Sequence, residues 1–526
     1  MIVAIALDLG TTTIKAGLLS GDGTLNAVVA QPAPVIVADG GRYESDALVY
    51  ATVAETVLAE CLAQTDARPR HGGAKPSGAG AGASHFLPQT ADLVGNVSEV
   101  RPPLGLCSQR SSFLLWERAS GQPVTPLISW QDDRGAASCA DLHASEHTIR
   151  VFTGLPLTPY YLAPKLRVLL HEHPAWREKL VSGEWLLGTL DTFLVWRWTG
   201  GKCHQTDASM AARTQLMDIH SGQWSPALCA LFDIPQQVLP QITPSAGLDL
   251  SLRNGLRLQA SVGDQSAALV ATIAEGKSQA LVNLGTGGFV VCYLPAGRHA
   301  PKGYLQTLVW QDATQRVHYA AEGTLNSIAA ALADYPVAAC RVEELACDDI
   351  YCLAEPSGLG APFFRGDLGL TFSAPVAHLS AHHIGLLLLE GIIFRVVRIL
   401  EDFRREFGLE RAYLSGGLAN LPCLQQGIAQ CLLFSVRPRH GGAQPSGAGA
   451  GASHFLPQAA DLVGNVSEVH LLAQTDASLN GAARLAAGIT LLTGADAERI
   501  DGGRPLPGLA AKYARWKAWL DQLLNS

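Results

Sequence analysis

Apolar residues open the chain in a short run, residues 4–7, which ends at Asp8. The run is too short for a membrane span or a signal peptide, and it predicts a buried first strand. Gly10 then permits a tight turn, and three threonines follow it: Thr11, Thr12 and Thr13. Apolar positions resume at once, so the pattern predicts a β-hairpin whose tip presents hydroxyl and N–H donors. Lys15 adds a positive charge next to this tip.

A fainter copy of the pattern lies in the second half of the chain. The stretch ALVNLGTGGFVVCYL aligns with ALDLGTTTIKAGLL when Gly285 is placed on Gly10. Thr286 and Gly287 then stand where the first copy has Thr11 and Thr12. Two such hairpins facing each other across a cleft would hold a polyphosphate from both sides. For either hairpin alone, an ordinary glycine turn without a ligand is the alternative.

Length and composition predict two domains. A chain of 526 residues exceeds what one hydrophobic core organises, and we divide it into domains 1–272 and 273–526. The net charge of −8, without a dense basic run, argues against a nucleic-acid partner. The most apolar predicted helix, from residue 384, carries Glu390, Arg395 and Arg398, which a bilayer would penalise. We therefore expect a cytoplasmic protein without membrane insertion, and the sequence leaves homo-oligomerisation open.

The eleven cysteines form no recognisable framework. There is no CxxC pair, and Cys347 and Cys352 are too far apart for half of a zinc knuckle. The expectation is a set of reduced and mostly buried thiols.

One segment occurs twice almost unchanged. Residues 68–100 recur at 437–469 with only two differences, Lys75/Gln444 and Thr90/Ala459. Structural repeats diverge much further, so an inserted or duplicated coding segment is the better interpretation. Each copy falls between a predicted helix and a predicted strand, at the amino ends of parallel strands, whereas ligands of open α/β sheets bind at the carboxyl ends. We expect mobile surface flaps remote from the chemistry, with a partner-binding role as the alternative.

Motifs in a fixed order give a more specific indication. They are ALDLGTTTIK, SWQDDR, SVGDQSAAL, VNLGTGG, GLGAPFFRGD, LEGIIFR and YLSGGLAN. This series resembles the FGGY carbohydrate kinases, and within them the glycerol kinase branch, over nearly the whole chain except the two copies. The resemblance implies an α/β fold of two actin-like (ribonuclease-H-like) domains with an interdomain cleft. It also implies transfer of a phosphoryl group from ATP, with Mg²⁺, to a hydroxyl of a polyol or sugar.

The resemblance assigns roles to single residues. Asp264 in the GDQ motif matches the family's catalytic base, and an aspartate that caps the following helix is the alternative. Asp8 would orient hydrated magnesium. The ATP phosphates would be bound by the two hairpins and the adenosine by a third loop, for which a plain strand-to-helix turn is the alternative: Thr11, Thr12, Thr13, Lys15, Gly285, Thr286, Gly287, Gly416, Gly417 and Asn420.

The same match implies a subsite for the phosphate acceptor. Its members beside Asp264 are Arg110, Trp130, Tyr160 and Gln265, although either aromatic residue alone is more often a core residue. Ser111 departs from the glycerol kinase pattern, which has glutamate here. The shorter side chain removes an ionised hydrogen-bond acceptor and leaves space, so we expect a polyol or ketose other than glycerol.

Other functions remain open at this point. A pentulose or other ketose kinase would use the same motifs. Chaperone-type ATPases and filament proteins share the expected fold without phosphorylating a small molecule, and a disabled kinase would bind nucleotide only. The GDQ motif and the Arg110 and Trp130 pair favour an active kinase.

Overall fold

The computed structural model describes residues 1–66, 101–434, 468–472, 476–489, 497–502 and 506–526. The first near-identical segment, 68–100, and residues 437–467 of the second lie outside the described residues, and so does the expectation that they form mobile flaps. Their flanking elements are described, and each copy follows a helix and leads into a strand, as predicted.

The first half of the chain contains both strands and helices. The strands are β1 Ile2–Leu9, β2 Thr13–Ser20, β3 Leu25–Pro32, β4 Val37–Asp39, β5 Arg42–Ser45, β6 Leu104–Ser108, β7 Phe113–Glu117, β8 Leu127–Ile128, β9 Trp185–Thr189, β10 Gln205–Asp207, β11 Met217–Asp218, β12 Gln223–Trp224, β13 Gln241–Thr243, β14 Ala246–Ser251 and β15 Arg257–Gly263. The helices are α1 Ala47–Asp66, α2 Ala136–Asp141, α3 Glu146–Thr153, α4 Leu162–Glu172, α5 Pro174–Val181, α6 Leu190–Trp198, α7 Ala208–Ala211, α8 Pro226–Leu231 and α9 Asp264–Thr272.

The second half continues the numbering. Its described strands are β16 Gln279–Leu284, β17 Gly288–Tyr293, β18 Leu305–Gln311, β19 Val317–Leu325, β20 Cys352–Leu353, β21 Thr371–Phe372, β22 Arg411–Ser415, β23 Glu468–Leu472 and β24 Ala497–Arg499. Its described helices are α10 Ile328–Leu332, α11 Ala381–Phe407, α12 Pro422–Phe434, α13 Ala477–Ala487 and α14 Pro507–Asn525.

Two large sheets repeat one arrangement. The first has the order β14-β15-β6-β1-β2-β3, and the second has the order β18-β19-β17-β16-β22-β23-β24. In each sheet an antiparallel hairpin, β1–β2 or β16–β17, continues into two parallel strands, β6 and β15 or β22 and β23. The two predicted hairpins are therefore confirmed as equivalent parts of two similar sheets. The division of the chain at residue 272 stays a prediction.

Helix α13 belongs to the second half of the sequence but packs on the first sheet. Its buried residues Leu479 and Ala482 share a core cluster with Ala4 and Ala6 of β1. The approach is backbone to backbone, because a Cβ at Gly105 of β6 would lie 2.1 Å from the Ala482 carbonyl oxygen. Only glycine permits such contact on the sheet side.

The long apolar helix expected from residue 384 is confirmed as a core helix. It is α11, and most of its residues from Gly385 to Phe403 are buried. Its charged residues are paired: Glu390 with Lys512 at 2.5 Å, and Arg395 with Glu355 at 2.6 Å. Among the described residues a single helix is long and apolar enough by length and composition to cross a membrane, namely α1 over Ala47–Gln64. Its Tyr50, Val57 and Leu58 are buried in the core of the first sheet. All eleven cysteines are free and eight are buried, as expected.

Gly481 on α13 gives a test of this packing. A Cβ at this position would lie 1.8 Å from the Ala267 carbonyl oxygen of α9, so Gly481→Ala forces two backbones apart. We expect a loss of about 2 kcal/mol or more in the free energy of unfolding, measured by urea denaturation. Gly366→Ala is the matched control, because nothing lies within 4 Å of its Cβ position. Equal stability of the two variants would contradict the described packing.

Candidate active site

Three parallel strands end side by side and define one edge of the first sheet. Leu9 of β1, Ser108 of β6 and Gly263 of β15 occupy the same row of the ladder. The residues that follow each strand therefore emerge next to one another. This carboxyl edge is where open α/β sheets bind ligands, and it brings the first hairpin, Arg110 and Asp264 together.

Asp8 lies at this edge, near the end of β1. Its carboxylate is buried, and Oδ2 accepts a hydrogen bond from Ser478 Oγ at 2.5 Å. Oδ1 is also buried and has no hydrogen-bond partner among the described residues. Burial raises the pKa of Asp8 to about 6, and the nearby negative charge of Asp264 contributes in the same direction. A cation placed at Oδ1 would favour the ionised form.

Asp264 is the first residue of α9. The N-cap is Gly263, which makes no side-chain cap, and both the role of Asp264 as a base and its role at the helix start stay predictions. Asp264 Oδ1 accepts the backbone N–H of Gln265 at 2.7 Å, and its side chain is 32% exposed. Burial raises the pKa of Asp264 above its usual range, while the positive charge of Arg110 opposes the rise. The carboxylate is thus a stronger base than an exposed aspartate and is open to the cleft.

Arg110 reaches across to both residues of this helix start. Its Nε lies 3.7 Å from Asp264 Oδ1, and its guanidinium donates to Gln265 Oε1. The arginine passes directly over Gly263, where a Cβ would lie 2.7 Å from Arg110 Cδ. Burial lowers the pKa of Arg110 to about 10, so the side chain remains charged at neutral pH.

Trp130 and Tyr160 form an exposed aromatic wall. Their rings lie 6.2 Å apart between centroids, and the residues are 38% and 52% exposed. Neither is a core residue, which was the alternative for each. Trp130 Nε1 donates to Thr11 Oγ1 at 3.1 Å, so the wall is tied to the first hairpin.

Ser111 differs from its predicted partners because its side chain points into the protein. The residue is 5% exposed and adopts a positive φ of 65°. Its hydroxyl donates to the Arg213 carbonyl oxygen at 2.9 Å. The hydroxyl proton is thereby used, and only its lone pairs remain to accept a hydrogen bond.

Lys15 and the second hairpin make contacts outside the group around Asp264. Lys15 Nζ pairs with Asp476 at 2.6 Å, just before α13. In the second hairpin, the Gly285 N–H donates to the Gly287 carbonyl at 2.8 Å. Gly416, with a φ of 92°, packs against the backbone of this hairpin, since a Cβ there would lie 2.4 Å from the Leu284 carbonyl oxygen.

The predicted site residues therefore form two groups, one at the carboxyl edge of each large sheet. Gly416 leads into the 3₁₀ turn Gly417–Asn420 at the carboxyl end of β22, so the third loop and the second hairpin share the edge of the second sheet. Among the described residues, no hydrogen bond joins the third loop or the second hairpin to Asp8, Arg110 or Asp264.

A buried ion pair between the two halves of the chain was missed at the sequence level. Arg213 donates to Glu322 Oε2 of β19 at 3.1 Å, and Thr307 donates to the same oxygen at 3.0 Å. The arginine and glutamate side chains are only 9% and 13% exposed. Tyr161 is close enough to raise the pKa of Arg213, and the charge of Arg213 acts on Arg110 and Asp264. The available signal was a lone arginine after the small, mostly apolar residues of α7, which predicts a buried charge in need of a partner.

Comparison with known proteins identifies relatives of this chain. Residues 96–267 match the N-terminal domain of the FGGY family of carbohydrate kinases. The chain is 32% identical over 463 residues to a glycerol kinase of Rhodopirellula baltica, covering 83% of this chain and 79% of that enzyme. It is 34% identical over 375 residues to a glycerol kinase of Alkalilimnicola ehrlichii, covering 67% of this chain and 76% of that enzyme.

Solved structures show the same fold at lower sequence identity. Glycerol kinase of Plasmodium falciparum with ADP has a TM-score of 0.76 at 18% identity and covers 99% of this chain and 98% of its own. Xylulose kinase of Rhodospirillum rubrum has a TM-score of 0.72 at 19% identity, with coverage of 99% and 100%. The predicted two-domain actin-like fold is confirmed by this likeness.

The chain belongs to the FGGY family of carbohydrate kinases. It is a carbohydrate or polyol kinase, of a family that uses ATP, and it is similar to the glycerol kinases.

The Arg213–Glu322 pair generates a stability prediction. Arg213→Met leaves Glu322 buried without its charged partner, which we expect to lower the free energy of unfolding by about 3 kcal/mol. The exposed pair Arg257–Asp249 is the control, and Arg257→Met is expected to leave stability unchanged. Urea denaturation of both variants measures the difference, and a stable Arg213→Met protein would show that the pair contributes nothing.

Proposed function

We propose that this enzyme transfers the γ-phosphoryl group of ATP to a hydroxyl of a polyol or sugar, with Asp264 as the general base. The observation that carries the proposal is the geometry around Asp264. An accessible carboxylate of raised pKa stands beside Arg110 and Gln265, at the carboxyl edge of the first sheet. A charged donor, an amide and an aromatic wall around one carboxylate suit a small molecule rich in hydroxyl groups.

Asp264 acts by positioning first and by proton transfer second. Its free lone pairs accept a hydrogen bond from the attacking hydroxyl and aim the oxygen at the γ-phosphate. The proton moves to the carboxylate late, as the new O–P bond forms. The positive charge of Arg110 favours the ionised form of the carboxylate, and its guanidinium donates to a neighbouring hydroxyl of the acceptor. Trp130 and Tyr160 cover the carbon skeleton.

Asp8 fits a magnesium ion that accompanies ATP. Its unpartnered, buried Oδ1 is a hard oxygen ligand, and Ser478 fixes the orientation of the carboxylate through Oδ2. The ion, when bound, neutralises phosphate charge. The rise in the pKa of Asp8 from 3.8 to about 6 means that burial destabilises its ionised form by roughly 3 kcal/mol relative to an exposed carboxylate, which a bound cation would offset.

The proposed ATP site combines both sheets. Thr11, Thr12 and Thr13 offer donors to the phosphates from the first hairpin, and Gly285, Thr286 and Gly287 offer them from the second. Lys15 shares one of its three N–H groups with Asp476 and keeps the others for phosphate oxygens. Gly416, Gly417 and Asn420 form the loop on which the adenosine lies.

We further propose that domains 1–272 and 273–526 close over the substrates in the cytoplasm. Closure excludes water and so limits hydrolysis of ATP without an acceptor. The buried Arg213–Glu322 pair joins the two halves of the chain.

The base proposal is tested with Asp264→Asn. An ADP-release assay with Mg-ATP and a panel of glycerol, erythritol, other polyols and ketoses identifies the acceptor for the natural enzyme. We expect Asp264→Asn to lower kcat on that acceptor by about 10²–10⁴-fold with a smaller change in KM.

Asp249→Asn, a change at an exposed aspartate on the same domain, is the control and should keep full activity. Full activity of Asp264→Asn would exclude the base. ATP binding without turnover on any acceptor would instead favour a disabled kinase.

Ser111 tests the identity of the acceptor. We propose a polyol or ketose other than glycerol, because serine supplies no ionised acceptor and occupies less volume than the glutamate of glycerol kinases. Loss of that charged hydrogen bond weakens the grip on one hydroxyl by about 1.5–3 kcal/mol. Ser111→Glu is expected to shift the ranking of kcat/KM toward glycerol, with Ser112→Thr as a neighbouring control. An unchanged ranking would show that Ser111 does not select the acceptor.

A further inference from the structure

A cluster of possible metal ligands lies on the second domain, away from the residues used for phosphoryl transfer. It consists of Cys347, Asp348 and His383. Cys347 and Asp348 follow the 3₁₀ turn Val342–Glu344, and His383 lies in the first turn of α11. Ser380 Oγ accepts the backbone N–H of His383 at 3.2 Å, which fixes this first turn. Two separate segments therefore supply the cluster.

The three donor atoms converge on a single point. His383 Nε2 lies 3.5 Å from Cys347 Sγ and 2.5 Å from Asp348 Oδ2. Two ligands of a tetrahedral zinc ion lie about 3.3–3.6 Å apart, given metal–ligand distances of about 2.0–2.3 Å. The sulfur and nitrogen already have this spacing, whereas the carboxylate oxygen lies closer to the imidazole and has to move away from it to share the ion.

The neighbouring His382 has similar contacts, but their arrangement does not suit a metal ion. His382 also lies near a cysteine and a carboxylate, with Cys340 Sγ 3.9 Å from Nδ1 and Glu344 Oε1 3.3 Å from Nε2. These contacts use opposite sides of the imidazole ring, so the three side chains cannot share one ion. His383 makes both contacts through Nε2, so an ion bound at this nitrogen would also contact Cys347 and Asp348.

Charge around the cluster also suits a cation. Lys512, which is fully buried, pairs with Asp348 Oδ1 at 2.9 Å and with Glu390 at 2.5 Å. Two carboxylates thus share one ammonium group, and Asp348 keeps Oδ2 free of the lysine. A divalent ion that displaces the thiol proton of Cys347 would balance the remaining negative charge. Cys347 is exposed, so the site is open to solvent.

We propose that Cys347, Asp348 and His383 bind one Zn²⁺ ion, with water as the fourth ligand. A thiolate, an imidazole and a carboxylate suit zinc and not magnesium, which prefers oxygen ligands alone. The ion would fasten the segment after the 3₁₀ turn to the start of α11. Through Asp348 and Lys512 it would also strengthen the attachment of α14. This role is structural and independent of phosphoryl transfer.

Cobalt tests the site in the full-length, chelator-treated protein. Titration with Co²⁺ is expected to give one equivalent of binding, with visible bands of tetrahedral cobalt and a near-ultraviolet thiolate-to-cobalt band. Zn²⁺ should displace the cobalt and raise the Tm. Cys347→Ser should abolish the thiolate band, and His383→Gln should weaken binding by about tenfold or more.

His382→Gln is the matched control, and it should bind cobalt as the natural protein does. Circular dichroism of each variant verifies folding, and agreement between Cys347→Ser and His383→Gln guards against one misfolded variant. Absence of cobalt binding, a thiolate band that survives Cys347→Ser, or an equal loss in His382→Gln would overturn the proposal.

Discussion

The close contact between α13 and the first sheet is the constraint on which the site depends. Gly105 and Gly481 let backbones approach on both faces of this helix, toward β6 and toward α9. The contact also brings the start of α13 to the first hairpin. Ser478 reaches Asp8 and Asp476 reaches Lys15, across more than 460 positions of sequence. The first hairpin, where we propose that the phosphates bind, is thus completed by the second half of the chain.

Pairs of opposite charge lie next to one another around the proposed base. Burying an ion is costly unless a partner of opposite charge is close. Arg110 stands beside Asp264, and Arg213 beside Glu322, in a continuous electrostatic set that reaches from the proposed base to β19. Asp8 is the exception, with one oxygen left unpartnered. A group that remains costly in the resting protein is the natural place for a cationic ligand.

Local sequence patterns predicted the structural features that depend on residues close together in the sequence. The Gly-Thr hairpins, the helix α11 and the placement of Asp264 after a buried strand follow from short-range periodicity and from motifs. The contacts of α13, the Arg213–Glu322 pair and the engagement of Lys15 with Asp476 do not, because they join segments separated by about 100 to 460 residues. The sequence predicted Ser111 beside the acceptor, but the residue has a positive φ and a buried side chain, and no local rule signals that conformation for serine.

The position of α13 in the sequence has a consequence for biosynthesis. A ribosome makes the strands of the first sheet early, but the helix that covers one face of that sheet comes after residue 476. Until then the apolar residues of β1, β6 and β15 that meet α13 have no partner, and the nascent first domain exposes them to water and to chaperones. Folding of the first domain therefore finishes only when nearly the whole enzyme has been synthesised, and a prematurely terminated chain is incomplete in both halves.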